Sequence, residues 1–140
     1  MLVLALVLAI GTVEDLRSRL RAQLDTAALT ATQALDVAAL ARGGRPALVP
    51  GEADALAREY LARNLAALGG ALAASPDALA RDAVVAVVNA PGPDPVTGIA
   101  DTAPTVSLGV RVPVRVPLLG LAGLGPTVEL AVTGSAAARS

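Results

Sequence analysis

Residues 13–38, VEDLRSRLRAQLDTAALTATQALDVA, carry the clearest period in the chain. Val13, Leu16, Leu20, Leu24, Ala28, Ala31, Leu35 and Ala38 recur at steps of three, four or seven, which puts them on one side of an α-helix. The charges fall mostly off that stripe. Glu14 can reach Arg17, Asp15 can reach Arg19, and Arg21 can reach Asp25. Such pairs support a solvated helix face by about a few tenths of a kcal/mol each.

N-terminal to this stretch, Met1 to Ile10 is continuously apolar, and Gly11, Thr12 and Val13 extend the run without a charge. The run is too short to span a bilayer alone, which takes about 20 residues. A signal-peptide core of that length is expected beside a basic segment and before a small-residue cleavage site. This run instead passes straight into the amphipathic stretch. No proline interrupts before Pro46, and Gly43-Gly44 is a good helix stop. The pattern predicts one helix from near residue 2 to about Arg42, with an apolar stem over 1–13 and an amphipathic part over 14–42. At 1.5 Å per residue it would be roughly 60 Å long, so its uncharged first third should protrude.

C-terminal to it, Arg45 to Gly51 reads as a loop with Pro46 and Pro50. A second helix is expected from about Glu52 to Leu72, with Leu61, Leu65, Leu68 and Leu72 on one face and the pairs Asp54–Arg58 and Glu59–Arg63 on its surface. Gly69-Gly70 weakens its end. Ser75-Pro76-Asp77 is a helix-start signature and opens a short turn through Arg81, so that 52–82 forms the second helix and a connector.

From residue 83 onward the period changes to two, and 83–140 reads as a β region. Ala83 to Ala90 holds a β-branched run, ended by Pro91-Gly92-Pro93-Asp94-Pro95. Thr105 to Pro117 alternates. Val106, Leu108, Val110, Val112, Val114 and Val116 point one way, and Ser107, Gly109, Arg111, Pro113, Arg115 and Pro117 the other. The prolines place this strand at an edge, or leave it paired on one side there. A last strand, Thr127 to Thr133, turns Val128, Leu130 and Val132 inward. The connection between them, the hairpin 118–126, carries Leu118, Leu119, Leu121 and Leu124 and no polar side chain, whereas hairpin tips are normally polar. It either folds back over the core or contacts a neighbouring subunit or membrane surface. The fold class expected is α+β: a long N-terminal helix, a second helix and a small antiparallel sheet of about three strands packed on the helix.

Composition narrows the function. The 140 residues include no His and no Cys, whereas zinc sets, thiol nucleophiles and Ser-His-Asp triads need one or the other. The twelve acidic residues are scattered, most with an Arg three or four residues away, so no catalytic role is expected. No metal, cofactor or small-molecule substrate is implied. The basic residues are unclustered and Tyr60 is the sole aromatic, which argues against nucleic acid as a partner. Hydrophobic residues make up 54% of the chain and charged ones 16%. A monomer this small would struggle to bury that much aliphatic surface, and copies of itself or lipid would cover the rest.

The remaining motifs read as structure. Gly120, Gly123 and Gly125 lie in a hairpin, with no Lys-Ser/Thr following, and so make no phosphate loop. Asp94 and Asp101 lie in a Pro/Gly-rich loop at a spacing that fits no EF-hand. Arg111 and Arg115 share a sheet face, read as solvated. The Ala27–Leu35 stretch is small enough to let another helix approach closely.

An apolar N-terminal run, Leu2 to Ile10, leading into an amphipathic helix and then a small antiparallel sheet, resembles the type IV pilin superfamily. Within it, the passage Leu20-Arg21-Ala22-Gln23-Leu24-Asp25-Thr26-Ala27-Ala28-Leu29, together with Val116-Pro117-Leu118-Leu119 before a Gly-rich tip, resembles pilin-like TadE/TadG proteins of tight-adherence pili and related Gram-positive conjugation systems. The usual pilin Glu at the fifth mature position is absent. Ala5 stands at residue 5, and the first acids are Glu14 and Asp15. The resemblance implies a structural subunit that polymerises into a cell-surface filament from a membrane-inserted precursor, with copies of itself as partners. Leu2, Val3, Leu4, Leu6, Val7, Leu8, Ile10 and Val13 would be its packing stem. Leu16, Leu20, Leu24, Ala28, Ala31 and Leu35 would be the stripe that docks on its own sheet. A membrane-anchored minor pilin or assembly factor, and a soluble exported binding domain, are the alternatives.

Overall fold

The computed structural model describes residues 1–138. It is an α+β fold in two layers. Helix α1 (Leu2–Ala31) and helix α3 (Pro50–Ala66) lie on one face of a three-stranded antiparallel sheet, made of β1 (Val84–Val88), β4 (Thr105–Arg115) and β5 (Thr127–Ala137) in the order β1-β4-β5. Short elements complete the chain: α2 (Val37–Ala41), α4 (Pro76–Asp82), a two-stranded ribbon of β2 (Gly92–Pro93) and β3 (Ala100–Asp101), and α5 (Pro117–Leu121).

The two periods of the sequence meet in the core. Leu16, Leu20, Leu24, Ala28 and Ala31 of α1 are buried, as are Ala53, Ala57, Leu61 and Leu65 of α3. Beneath them Val106, Leu108, Val110, Val112 and Val114 of β4, with Val116 just after it, are buried with Leu130 and Val132 of β5. Residues at these spacings have no other way to leave water together, and each buried Leu or Val contributes about 1.5–3 kcal/mol. Arg111 and Arg115 stay exposed on the opposite face. Ser107, on that same face, is buried instead, because the Asp94 loop folds over it and its hydroxyl donates to Asp94 Oδ2.

β4 is the central strand and still carries Pro113. β1 pairs only with Thr105–Gly109, and further along that side of β4 Leu72 forms an isolated antiparallel bridge with Val114. The Pro113 carbonyl points to that side and accepts the Ala73 N–H. The missing proline donor therefore breaks no ladder bond.

The helix expected to reach Arg42 ends at Ala31. The reason is a pairing remote in sequence. Leu35 forms an antiparallel bridge with Leu48, the Asp36 N–H donates to Ala47 O and the Val49 N–H to Ala34 O. Asn89 then holds Leu48 from its other side, accepting its N–H at 2.8 Å and donating to its carbonyl at 2.9 Å. The last turn of α1 tightens, with Gln33 N–H to Thr30 O and Ala34 N–H to Ala31 O. The Gly43-Gly44 stop terminates α2 instead, Gly43 taking φ +74. Helix α1 is thus 30 residues, about 45 Å.

The second helix is likewise shorter than read. α3 starts on Pro50, stops at Ala66, and is followed by a 3-10 turn over Gly69–Ala71. The Ser75 signature does start α4, the Ser75 Oγ accepting the Ala78 N–H at 3.1 Å. At its other end Arg58 of α3 closes α4. Its guanidinium donates to the carbonyls of Ala80, Arg81 and Ala83 while pairing with Asp54. Of the expected helix-face pairs, Asp15–Arg19, Asp54–Arg58 and Glu59–Arg63 form. Asp25 turns away from Arg21 and accepts the Ser135 N–H at 3.1 Å.

Candidate functional site, the apolar end of the molecule

The apolar stem continues α1 without a break. Its exposed members are Leu2, Val3, Leu4, Leu6, Val7, Leu8 and Ile10, from 39% exposed at Leu6 to 73% at Val3. Seven large aliphatic side chains in nine consecutive residues are left in water, with no charge before Glu14. Scattered exposed leucines are ordinary on protein surfaces, but a contiguous exposed run of this kind is unusual on a monomer.

The stem is not free along its whole length. Ala9 is fully buried, and Val13 is half-buried against the chain's own core. Val13 therefore belongs with the stripe of Leu16, Leu20 and Leu24 rather than with the exposed stem. What lies exposed is the set of large side chains from Leu2 to Ile10. No helix among the described residues is long and apolar enough to cross a membrane.

The expected hairpin tip is not a hairpin turn. Pro117 starts the short helix α5, and the turn after it carries Gly123 at φ +76. Pro at the first helical position is pre-set for this conformation. α5 packs against α1, and Leu118 and Leu119 are half-buried at the border of the core. Leu121 and Leu124 face outward, 75% and 55% exposed. Leu118 and Leu119 thus fold back toward the core, while Leu121 and Leu124 stay exposed. The second pair adds apolar surface at the same end of the molecule as the stem.

Leu35, expected on the helix stripe, lies beyond α1 and is half-buried. It borders a cavity of about 500 Å3 at the opposite end of the sheet, together with Leu40, Arg45, Asn89 and Pro104. No local pattern signals this cavity, because its walls come from chain segments far apart in sequence.

The polar interior is small: Asp94 and Ser107 satisfy each other, while Asp101 Oδ2 is buried without a hydrogen-bond partner. Burial raises the Asp94 carboxyl, but hydrogen bonds from the Ser107 hydroxyl and from the Val96 and Thr97 N–H groups outweigh it. The group sits below its ordinary value. This carboxylate organises the 94–99 turn. Among the described residues no three Asp or Glu side chains come together as a metal set.

No protein-family model, curated protein or solved structure matches this chain.

Proposed function

We propose that the chain is a pilin-like structural subunit, polymerising through its apolar N-terminal helix into a cell-surface filament. The observation that carries this reading is the stem. An uncharged helical segment exposes its large side chains from Leu2 to Ile10, while the same helix is held through Ala9, Val13 and Leu16. A rigid α+β head with a protruding apolar rod is the shape that buries its rod among copies of itself.

The energetics favour such burial. Each Leu, Val or Ile taken from water contributes about 1.5–3 kcal/mol. With 39% to 73% of each exposed, the seven stem side chains together supply about 6–12 kcal/mol, within the roughly 4–15 kcal/mol that association costs. Surface ion pairs, at about 0–1 kcal/mol each, set orientation rather than strength. In a filament of this kind the stems form the core, and the solvated face of the sheet, with Arg111 and Arg115, looks outward. Before assembly the same apolar surface would be covered by the membrane.

Electron microscopy of material sheared from cells that express the chain, with antibody labelling, tests this reading. Filaments labelled along their length support it. Labelled material consisting only of dispersed single chains contradicts it.

A further inference from the structure

β5 is an edge strand of 11 residues, and no strand pairs with its outer edge, where Asp25 caps only the Ser135 N–H. Which of its groups face outward follows from the register. The Val116 N–H donates to Pro126 O, and the Ala138 N–H donates to Pro104 O. Both bonds fit the register that sets Arg115 against Thr127. Even-numbered β5 residues therefore bond to β4, and the N–H and C=O groups of Thr127, Glu129, Ala131 and Thr133 point away from the sheet. Ser135 confirms the parity, since its N–H donates outward to Asp25 Oδ1. Long exposed edges are usually blunted by Pro, Lys or a bulge. β5 has neither residue, and Glu129 is its one charge.

A cleft of about 320 Å3 runs along this edge, with Glu14, Arg17, Ser18 and Arg21 of α1 on one side and Ala131 to Thr133 on the other. Glu14, Arg17 and Arg21 take part in no ion pair among the described residues. Helix and strand run in the same direction here, because Asp25 lies beside Ser135, further along both.

We propose that β5 pairs edge to edge with β5 of a second copy of this chain. A two-fold axis beside Val132 sets Ala131 of each copy opposite Thr133 of the other, both with free donors and acceptors. The same axis crosses α1 between Arg17 and Ser18. Glu14 of each copy then meets Arg21 of the other, and Arg17 meets Ser18. The edge is self-complementary in charge as well as in hydrogen bonding, as an isologous contact requires. Two three-stranded sheets become one six-stranded sheet. The contact uses none of the stem residues, so it stands whether or not the stem drives filament growth.

The chain has no cysteine to interfere with a cross-linking test. Glu14→Cys and Arg21→Cys together place two thiols about 10 Å apart on one helix, too far to bridge within a chain. On mild oxidation the full-length double variant should run as a covalent dimer on a non-reducing gel, and each single variant as a monomer. Adding Ala131→Pro removes an outward N–H without touching the β4 ladder and should abolish the dimer. In Leu6→Asp, whose stem is blocked, the dimer should form as before. A double variant that links no more than the single ones, or one that still links with Ala131→Pro, overturns the proposal.

Discussion

Gly134 lies directly beneath Leu24: a methyl group placed on its Cα would stand 2.6 Å from Leu24 Cβ and 2.8 Å from the Asp25 backbone nitrogen. Helix α1 can lie this close to β5 only because that position has no side chain. The close approach also lets Asp25 reach the Ser135 N–H. Gly134→Ala forces the helix off the strand at one point, and overpacking of that kind costs about 1–3 kcal/mol. Urea denaturation of the parent and the variant should show a lower midpoint at unchanged slope.

Arg58 should prove the most sensitive charged residue of the head. Its guanidinium closes three carbonyls at the end of α4, work that the exposed ion pairs do not do. Hydrogen bonds to charged groups contribute about 1.5–3 kcal/mol. Arg58→Ala should therefore lower the thermal midpoint clearly, and Arg58→Lys, with a point charge in place of a fork, should recover only part. Asp15→Asn, at an exposed i,i+4 pair, should change the stability by at most about 0.5 kcal/mol. Calorimetry of the three variants orders them.

Asp94 gives the stability a pH dependence of fixed sign. Its carboxyl is held below the ordinary value of 3.8. The folded state therefore releases this proton more readily than the unfolded chain. The stabilisation is present above 3.8 and is lost as the pH falls through the folded value. Asp94→Asn has no such proton to take up. Its denaturation midpoint should be lower than the parent's at neutral pH, and the gap should narrow in acid below 3.8. A gap that stays constant with pH would remove Asp94 from the account.

The sequence made the layers legible and some of the joints illegible. Alternation from Val106 to Val116 and the helical stripe from Leu16 to Ala31 are local patterns with one physical solution each, and both are realised. The end of α1 was not legible. It depends on Leu35 bridging to Leu48 and on Asn89 holding Leu48 across 41 positions, which no local period records. The buried Ser107 was misplaced for the same reason, since the Asp94 loop that covers it closes from a distance in sequence. The stem was legible as apolar, but the burial of Ala9 and Val13 within it was not, and α5 packs against the same helix. α5 is a five-residue element in a segment read as a turn.

The central claim is that the stem drives assembly, and one substitution addresses it most directly. Leu6→Asp places a carboxylate among the exposed aliphatic residues, where burial without a partner costs several kcal/mol per subunit. The parent chain, Arg111→Ala and Leu6→Asp should be compared by high-speed sedimentation followed by electron microscopy of the pellets. The parent and Arg111→Ala are expected to pellet as filaments, since Arg111 lies on the solvated sheet face. Leu6→Asp is expected to stay in the supernatant with the parent's circular dichroism and melting curve. Filaments from Leu6→Asp in the parent's yield would contradict the account and leave the exposed pair Leu121 and Leu124 as the better candidate for the main contact.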